Sequence, residues 1–169
     1  DIPPMPRFLV DQYTDSDESS VGHRVMFFDI EVEVTEGFPD VQKAYNPITS
    51  IALYDCITEK YFTYCFDPHK RIESYEKDNE VVEFYETEYE MLNQFFQKYL
   101  EIRPTIISGW NSEFFDIPYL YNRAVRILGP ELANLLSPIS QVIYSEYKKK
   151  HTIAGVSSLD YLQLYRQFT

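Results

Sequence analysis

Residues 24–34 read RVMFFDIEVEV. The apolar residues alternate, as they do in a β-strand, where neighbouring side chains point to opposite faces. Met26, Phe28, Ile30, Val32 and Val34 share one face, and Asp29 and Glu31 share the other. Two residues of strand rise put the acids roughly 7 Å apart at Cα. Acidic residues are depleted in strands and are rarely buried without a partner. If this strand is central, both of its faces are expected to be covered, and two partly desolvated carboxylates repel each other. A divalent cation relieves both problems. Mg²⁺ and Mn²⁺ prefer hard oxygen ligands and keep waters that substrate phosphates can replace. The competing reading is a half-exposed strand with an ordinary polar face, and Glu33 continues the alternation in its favour.

Working outward, ITSIALYD (48–55) and KYFTYCF (60–66) are β-rich runs joined by a short turn, so a hairpin is expected beside the first strand. Residues 73–90, ESYEKDNEVVEFYETEYE, carry eight acids and one lysine, a net of −7, and read as a solvated loop leading into a helix. The spacing predicts that helix over 87–104. Thr87 and Glu90 form a capping box, Pro104 is the stop, and Met91, Leu92, Phe95, Phe96, Tyr99 and Leu100 form one stripe. TIISGW (105–110) is a short buried-type strand. A second helix is expected over 115–129, with Pro118 in its first turn and Gly129 at its end. ELANLLS (131–137) reads as a further helical turn. QVIYSEY (141–147) and TIAGVSS (152–158) read as a second hairpin around KKKH, and LDYLQLYRQF (159–168) as a last helix. The order is β-β-β-α-β-α, then a hairpin and a helix. That is the α/β class: a mixed β-sheet flanked by helices, with an extra β-hairpin.

The chain's 169 residues, 44% hydrophobic and 17% aromatic, suit one domain with a sizeable core. The apolar runs are too short for a membrane span, so no membrane partner is expected. Residues 1–20, which include DIPPMPRF and DSDESS, read as a connector from a preceding domain, and the chain as cut from a longer protein. Cys56 and Cys65 are expected to be ordinary buried thiols. The scattered histidines, His23, His69 and His151, give no zinc spacing. A net charge of −12 argues at first against nucleic acid as a partner, although a nuclease that holds metal ions also needs clustered carboxylates.

The segment IISGWNSEFFDIPYL (106–120) adds a strand, a turn and an acid, Asp116, at a helix start. On its own Asp116 reads equally as a first-turn acid favouring the helix dipole, and Asn111 as a turn residue. Taken together, FFDIEV (27–32) and GWNSEFFDIPYL (109–120) resemble the first two exonuclease motifs of family B DNA polymerases, most closely those of large tailed bacteriophages. GFPD (37–40), NRAVRILG (122–129) and GVSSLDYLQLYRQF (155–168) extend the likeness over residues 24–169.

The resemblance implies an RNase H-like fold and 3′→5′ proofreading of the primer end by two-metal hydrolysis. It also implies two Mg²⁺ or Mn²⁺ ions held by Asp29, Glu31 and Asp116, with Asn111 and Phe115 contacting the single-stranded 3′ end of DNA. It further implies as partners the remainder of a replicative polymerase and, through that parent, a sliding clamp, in the cytoplasm of a bacterial host. One departure stands against it. The family's third motif, Tyr-x-x-x-Asp, supplies a fourth carboxylate. Here Asp160 is the last aspartate, and Val156 stands four residues before it. The chain is therefore expected to end before that motif, making residues 21–169 a truncated exonuclease domain, weak or inactive alone. The alternatives are a non-catalytic module that binds DNA or a subunit, and a stand-alone 3′→5′ exonuclease of the same acidic-cluster class. Tyr144, Tyr147 and KKKH (148–151) are further candidates for phosphate contact at a hairpin tip.

Overall fold

A computed structural model describes residues 21–34 and 37–168; the connector read over 1–20 lies outside the described residues. The first strand, β1 (Val25–Val32), pairs antiparallel with β2 (Ile48–Asp55), which pairs antiparallel with β3 (Lys60–Phe66). The expected first hairpin is therefore present. β6 (Ile106–Gly109) lies on the other side of β1, and β9 (Ser157–Asp160) lies beyond it, both parallel. β4 (Tyr75–Lys77) and β5 (Glu80–Tyr85) complete a seven-stranded mixed sheet in the order β4-β5-β3-β2-β1-β6-β9.

The acidic run over 73–90 is thus not a loop. Val81, Val82, Phe84 and Tyr85 have the β-branched and aromatic character that suits a strand. β5 pairs parallel with β3, a long-range contact that no local pattern reveals, and the acids sit on the solvated edge.

Helix α1 (Glu88–Ile102) begins where expected. The Glu90 N–H donates to Thr87 Oγ1 at 3.2 Å, and the Thr87 hydroxyl donates to Glu90 Oε2 at 2.8 Å. It buries Met91, Leu92, Phe95, Phe96, Tyr99 and Ile102. Leu100, placed on the same stripe by spacing, lies at its margin and is exposed. The helix covers the sheet face that carries Met26, Phe28, Ile51, Leu53 and Tyr64, forming one core.

Helix α2 (Asp116–Ile127) follows β6. It is joined to α1 by a buried ion pair in which Arg123 Nε donates to Glu88 Oε1 at 2.8 Å. The same guanidinium donates to the carbonyls of Ala44 and Tyr45, and Glu88 Oε1 also accepts the Ile48 N–H. Each buried charge is thereby paired and hydrogen-bonded, as burial demands. A short α3 (Pro130–Ala133) and a 3₁₀ turn (Asn134–Leu136) follow.

The second hairpin forms from β7 (Val142–Ser145) and β8 (Lys150–Ile153) as a separate two-stranded sheet. Its sequence bounds were too generous. TIAGVSS divides at Gly155, which has φ +86°, and its second half enters β9 of the main sheet. Helix α4 (Tyr161–Phe168) accordingly starts two residues later than expected. No helix among the described residues is long and apolar enough to cross a membrane.

Candidate active site

The parallel pairing of β1 with β6 ends at Phe27 and Ser108. Beyond that point the two strands part, and the chain leaving β6 turns into α2. Gly109 marks the parting. A Cβ there would lie 2.6 Å from the Phe28 carbonyl oxygen and 3.0 Å from Ser112 Cβ, so only glycine fits. The next turn opens on Asn111 with φ +61°, a left-handed conformation that asparagine tolerates better than most residues.

The turn delivers Asp116 into the gap. Its side chain is buried, 3% exposed, and Oδ1 accepts the Ile30 N–H at 3.1 Å. β1, which carries Asp29 and Glu31, is thus tied to the start of α2. Burial pushes the Asp116 carboxyl up to about 7; the Ile30 N–H opposes that rise, while the charges of Asp29 and Asp160 add to it. Desolvation dominates, and among the described residues no cation pairs with Asp116 as one ordinarily does with a buried carboxylate.

Asp29 and Glu31 share a face of β1 as the alternation required, but that face is open to solvent. Among the described residues the expected covering is missing, because α1 and α2 pack on the opposite face, with Phe28 and Ile30. The two acids are therefore not desolvated by the sheet; the carboxyl under electrostatic stress is Asp116. Among the described residues no three His, Cys, Asp or Glu side chains stand close enough to hold a metal ion together.

Phe115 is half-buried. Its ring packs 5.6 Å from Tyr119 and 5.2 Å from Phe38. Phe38 is 79% exposed. A cleft of about 450 Å³ opens between Glu31, Val32, Phe38 and Phe115. Phe38 was not singled out from the sequence, although it lies within GFPD; an exposed aromatic in a turn has no periodic signature. A groove of about 530 Å³ lined by Tyr99, Arg103, Pro138 and Gly155 includes Thr105, at the end of β6 remote from Gly109, and takes no part in this site.

Asp160 was noted in the sequence only for lacking a tyrosine four residues before it. The structure brings it from the end of β9 to the turn below Asn111, 3% exposed. Oδ1 accepts the N–H groups of Asn111 and Leu162, both at 2.9 Å, and Oδ2 accepts that of Glu113 at 3.1 Å. The one legible signal was an aspartate directly before an amphipathic run, the pattern of a helix cap. Glu113 accepts from Lys150 of the second hairpin at 2.6 Å, across a largely buried ion pair.

A solvated acidic strand face, a buried charge-stressed aspartate, an aromatic-walled cleft and a fixed Asn111 turn thus converge where β1 and β6 part. The family described as DNA polymerase family B, exonuclease domain, matches residues 8–169, and the chain belongs to that family. It is 34% identical to the DNA-directed DNA polymerase of Escherichia phage RB69 over 86% of this chain and 19% of that protein. It is 33% identical to the DNA-directed DNA polymerase of Enterobacteria phage T4 over 82% of this chain and 18% of that protein. A more distant likeness, 39% identity over 59% of the chain, links it to DNA polymerase 1 of Saccharolobus solfataricus. The chain spans about a fifth of the length of the two phage relatives.

Proposed function

We propose that this chain is the 3′→5′ proofreading exonuclease portion of a replicative DNA polymerase, acting on the single-stranded 3′ end of a primer. The observation that carries the reading is Asp116: a buried carboxyl raised to about 7, with the Asp29 charge nearby and no cationic partner among the described residues. Such a donor set fits a divalent cation. Asp29 and Asp116 would hold the first Mg²⁺ or Mn²⁺; Glu31, on the same strand face, would join them only after its side chain moved closer. When bound, such ions supply Lewis-acid polarisation of a phosphate and lower the pKa of a coordinated water.

The chain's own residues do the rest. Asp116 binds in its ionised form, so metal loading displaces its proton. Phe38 and Phe115 offer a platform on which a terminal base stacks without regard to sequence. Asn111, held at the mouth of the turn, presents an amide to the strand. Lys148 and Lys149, at the exposed hairpin tip, are suited to backbone phosphates. The parent polymerase, its clamp and its place in a bacterial host's cytoplasm belong to the same proposal, as does the domain assignment over 21–169.

The test is degradation of a 3′-labelled single-stranded oligonucleotide with Mn²⁺, beside Asp29→Ala and Asp116→Ala. Weak cleavage by the unsubstituted chain, lost in both variants, is the expected result, since each removes a cation's anchor. Undiminished cleavage in either variant defeats the assignment. One observation favours a second reading, a DNA-binding module without catalysis: no three metal-ligating side chains converge among the described residues. Binding of the oligonucleotide with no Mn²⁺-dependent cleavage identifies that case.

A further inference from the structure

Asp160 has a use that acid clusters of this kind do not explain. Its two oxygens receive three backbone N–H groups, from Asn111, Glu113 and Leu162. A carboxylate so engaged is a backbone anchor and is poorly disposed to bind a cation as well. Charge-assisted bonds of this type are the strong ones, and here they lie in a buried setting.

What they fasten is the segment between β6 and α2. Asn111 sits at φ +61°. Its own carbonyl accepts the N–H groups of Phe114 and Phe115 at 3.2 and 3.1 Å. The conformation of Asn111 therefore sets the path of the chain into Phe115 and Asp116. On the far side of the same turn, Glu113 grips Lys150 of the β7–β8 hairpin. The turn is held from below by Asp160 and tied sideways to the hairpin.

The geometry points to Asp160 as a positioning residue. By fixing the Asn111–Glu113 turn it sets where Asn111 and Phe115 meet the nucleic-acid strand, without touching that strand itself. This rests on the proposed function above and adds a residue to it.

Asp160→Asn keeps an acceptor oxygen for Asn111 and Leu162 but turns a donor or a weakened acceptor toward the Glu113 N–H. Two measurements on the whole chain test the role. The first is amide hydrogen exchange. The Asn111 and Glu113 amides are expected to be protected in the unsubstituted chain; in the variant Glu113 is expected to lose protection, while Ile107 and Leu120 keep theirs. Unprotected turn amides in the unsubstituted chain, or loss of protection throughout the variant, overturn the proposal and leave Asp160 a fold-stabilising group.

The second is affinity for a single-stranded oligodeoxynucleotide with a phosphorothioate 3′ linkage, read by fluorescence anisotropy. Asp160→Asn is expected to weaken it about tenfold, the scale of one lost charge-assisted hydrogen bond. Asn111→Ala is expected to weaken binding comparably, and the double variant no further, because both act through one side chain. Unchanged affinity in Asp160→Asn, or losses that multiply in the double variant, overturn the positioning role. No binding by the unsubstituted chain defeats the nuclease reading instead, leaving Asp160 with no strand to position.

Discussion

Asp116 is under two opposed demands. Its burial favours the neutral carboxyl, and its proposed chemistry requires the carboxylate. The folded chain binds this proton up to about pH 7, whereas the unfolded chain releases it near the ordinary aspartate value of 3.8. Between those values the folded state holds more protons, so stability falls as pH rises and levels off above about 7. Thermal melts in chelator are therefore expected to show Tm rising as pH drops from 8 to 5.5. Asp116→Asn should flatten that dependence while the background effect of the −12 net charge persists. Equal pH dependence in the two proteins would show that Asp116 is not the group responsible. Added Mn²⁺ at pH 8 should recover part of the lost stability, since the cation supplies the missing counter-charge.

At the scale of elements, the parting of β1 from β6 depends on Gly109. The atom a side chain would meet first is backbone, the Phe28 carbonyl at 2.6 Å, which cannot swing aside. Gly109→Ala is therefore expected to destabilise the chain by roughly 1–3 kcal/mol, the usual range for overpacking, read as a lower denaturant midpoint with an unchanged slope. A midpoint equal to the unsubstituted chain's would mean that the two strands are not in close contact there. Elements with a strong local period were legible in advance: the Thr87-capped helix, the 48–66 hairpin and the alternating β1 all form where the sequence indicated. What was not legible came from long-range pairing. Nothing within residues 80–85 announces that their partner is β3, and Gly155 breaks the 152–158 run without announcing that its second half joins the main sheet. The site divides along the same line. Asp29, Glu31 and Asp116 carry motif spacing, whereas Phe38 and Asp160 join it only through tertiary contact.

Across the whole molecule, charge is unevenly spread. Acids crowd the edge formed by β4 and β5, and three consecutive lysines, Lys148 to Lys150, stand at the hairpin turn. Lys150 is committed to Glu113 and Lys149 pairs with Glu146, but both partners of the latter pair are well exposed, where such bridges contribute little. An acidic protein that binds a polyanion must offer a local basic surface, and this tip is one. Replacing Lys148 and Lys149 together with alanine is expected to weaken single-stranded DNA binding and to reduce the salt slope by about 1–1.5, from about 0.7 per lost phosphate contact on single strands. An unaltered slope would place the strand elsewhere on the surface.

The bond that joins Ile30 to Asp116 spans 86 residues of chain, and the one from Asp160 to Asn111 spans another 49. On a ribosome making roughly 5–20 residues per second, the acids of β1 emerge several seconds before Asp116 and longer before its support from β9. During that interval β1, β2 and β3 can already pair as neighbours in sequence, with Asp29 and Glu31 facing water. The outward-facing acids are thus compatible with early sheet formation, and the buried Asp116 arrives after the three strands beside which it will pack. Nascent chains of this protein are expected to pair β1, β2 and β3 well before the Ile30–Asp116 bond can form.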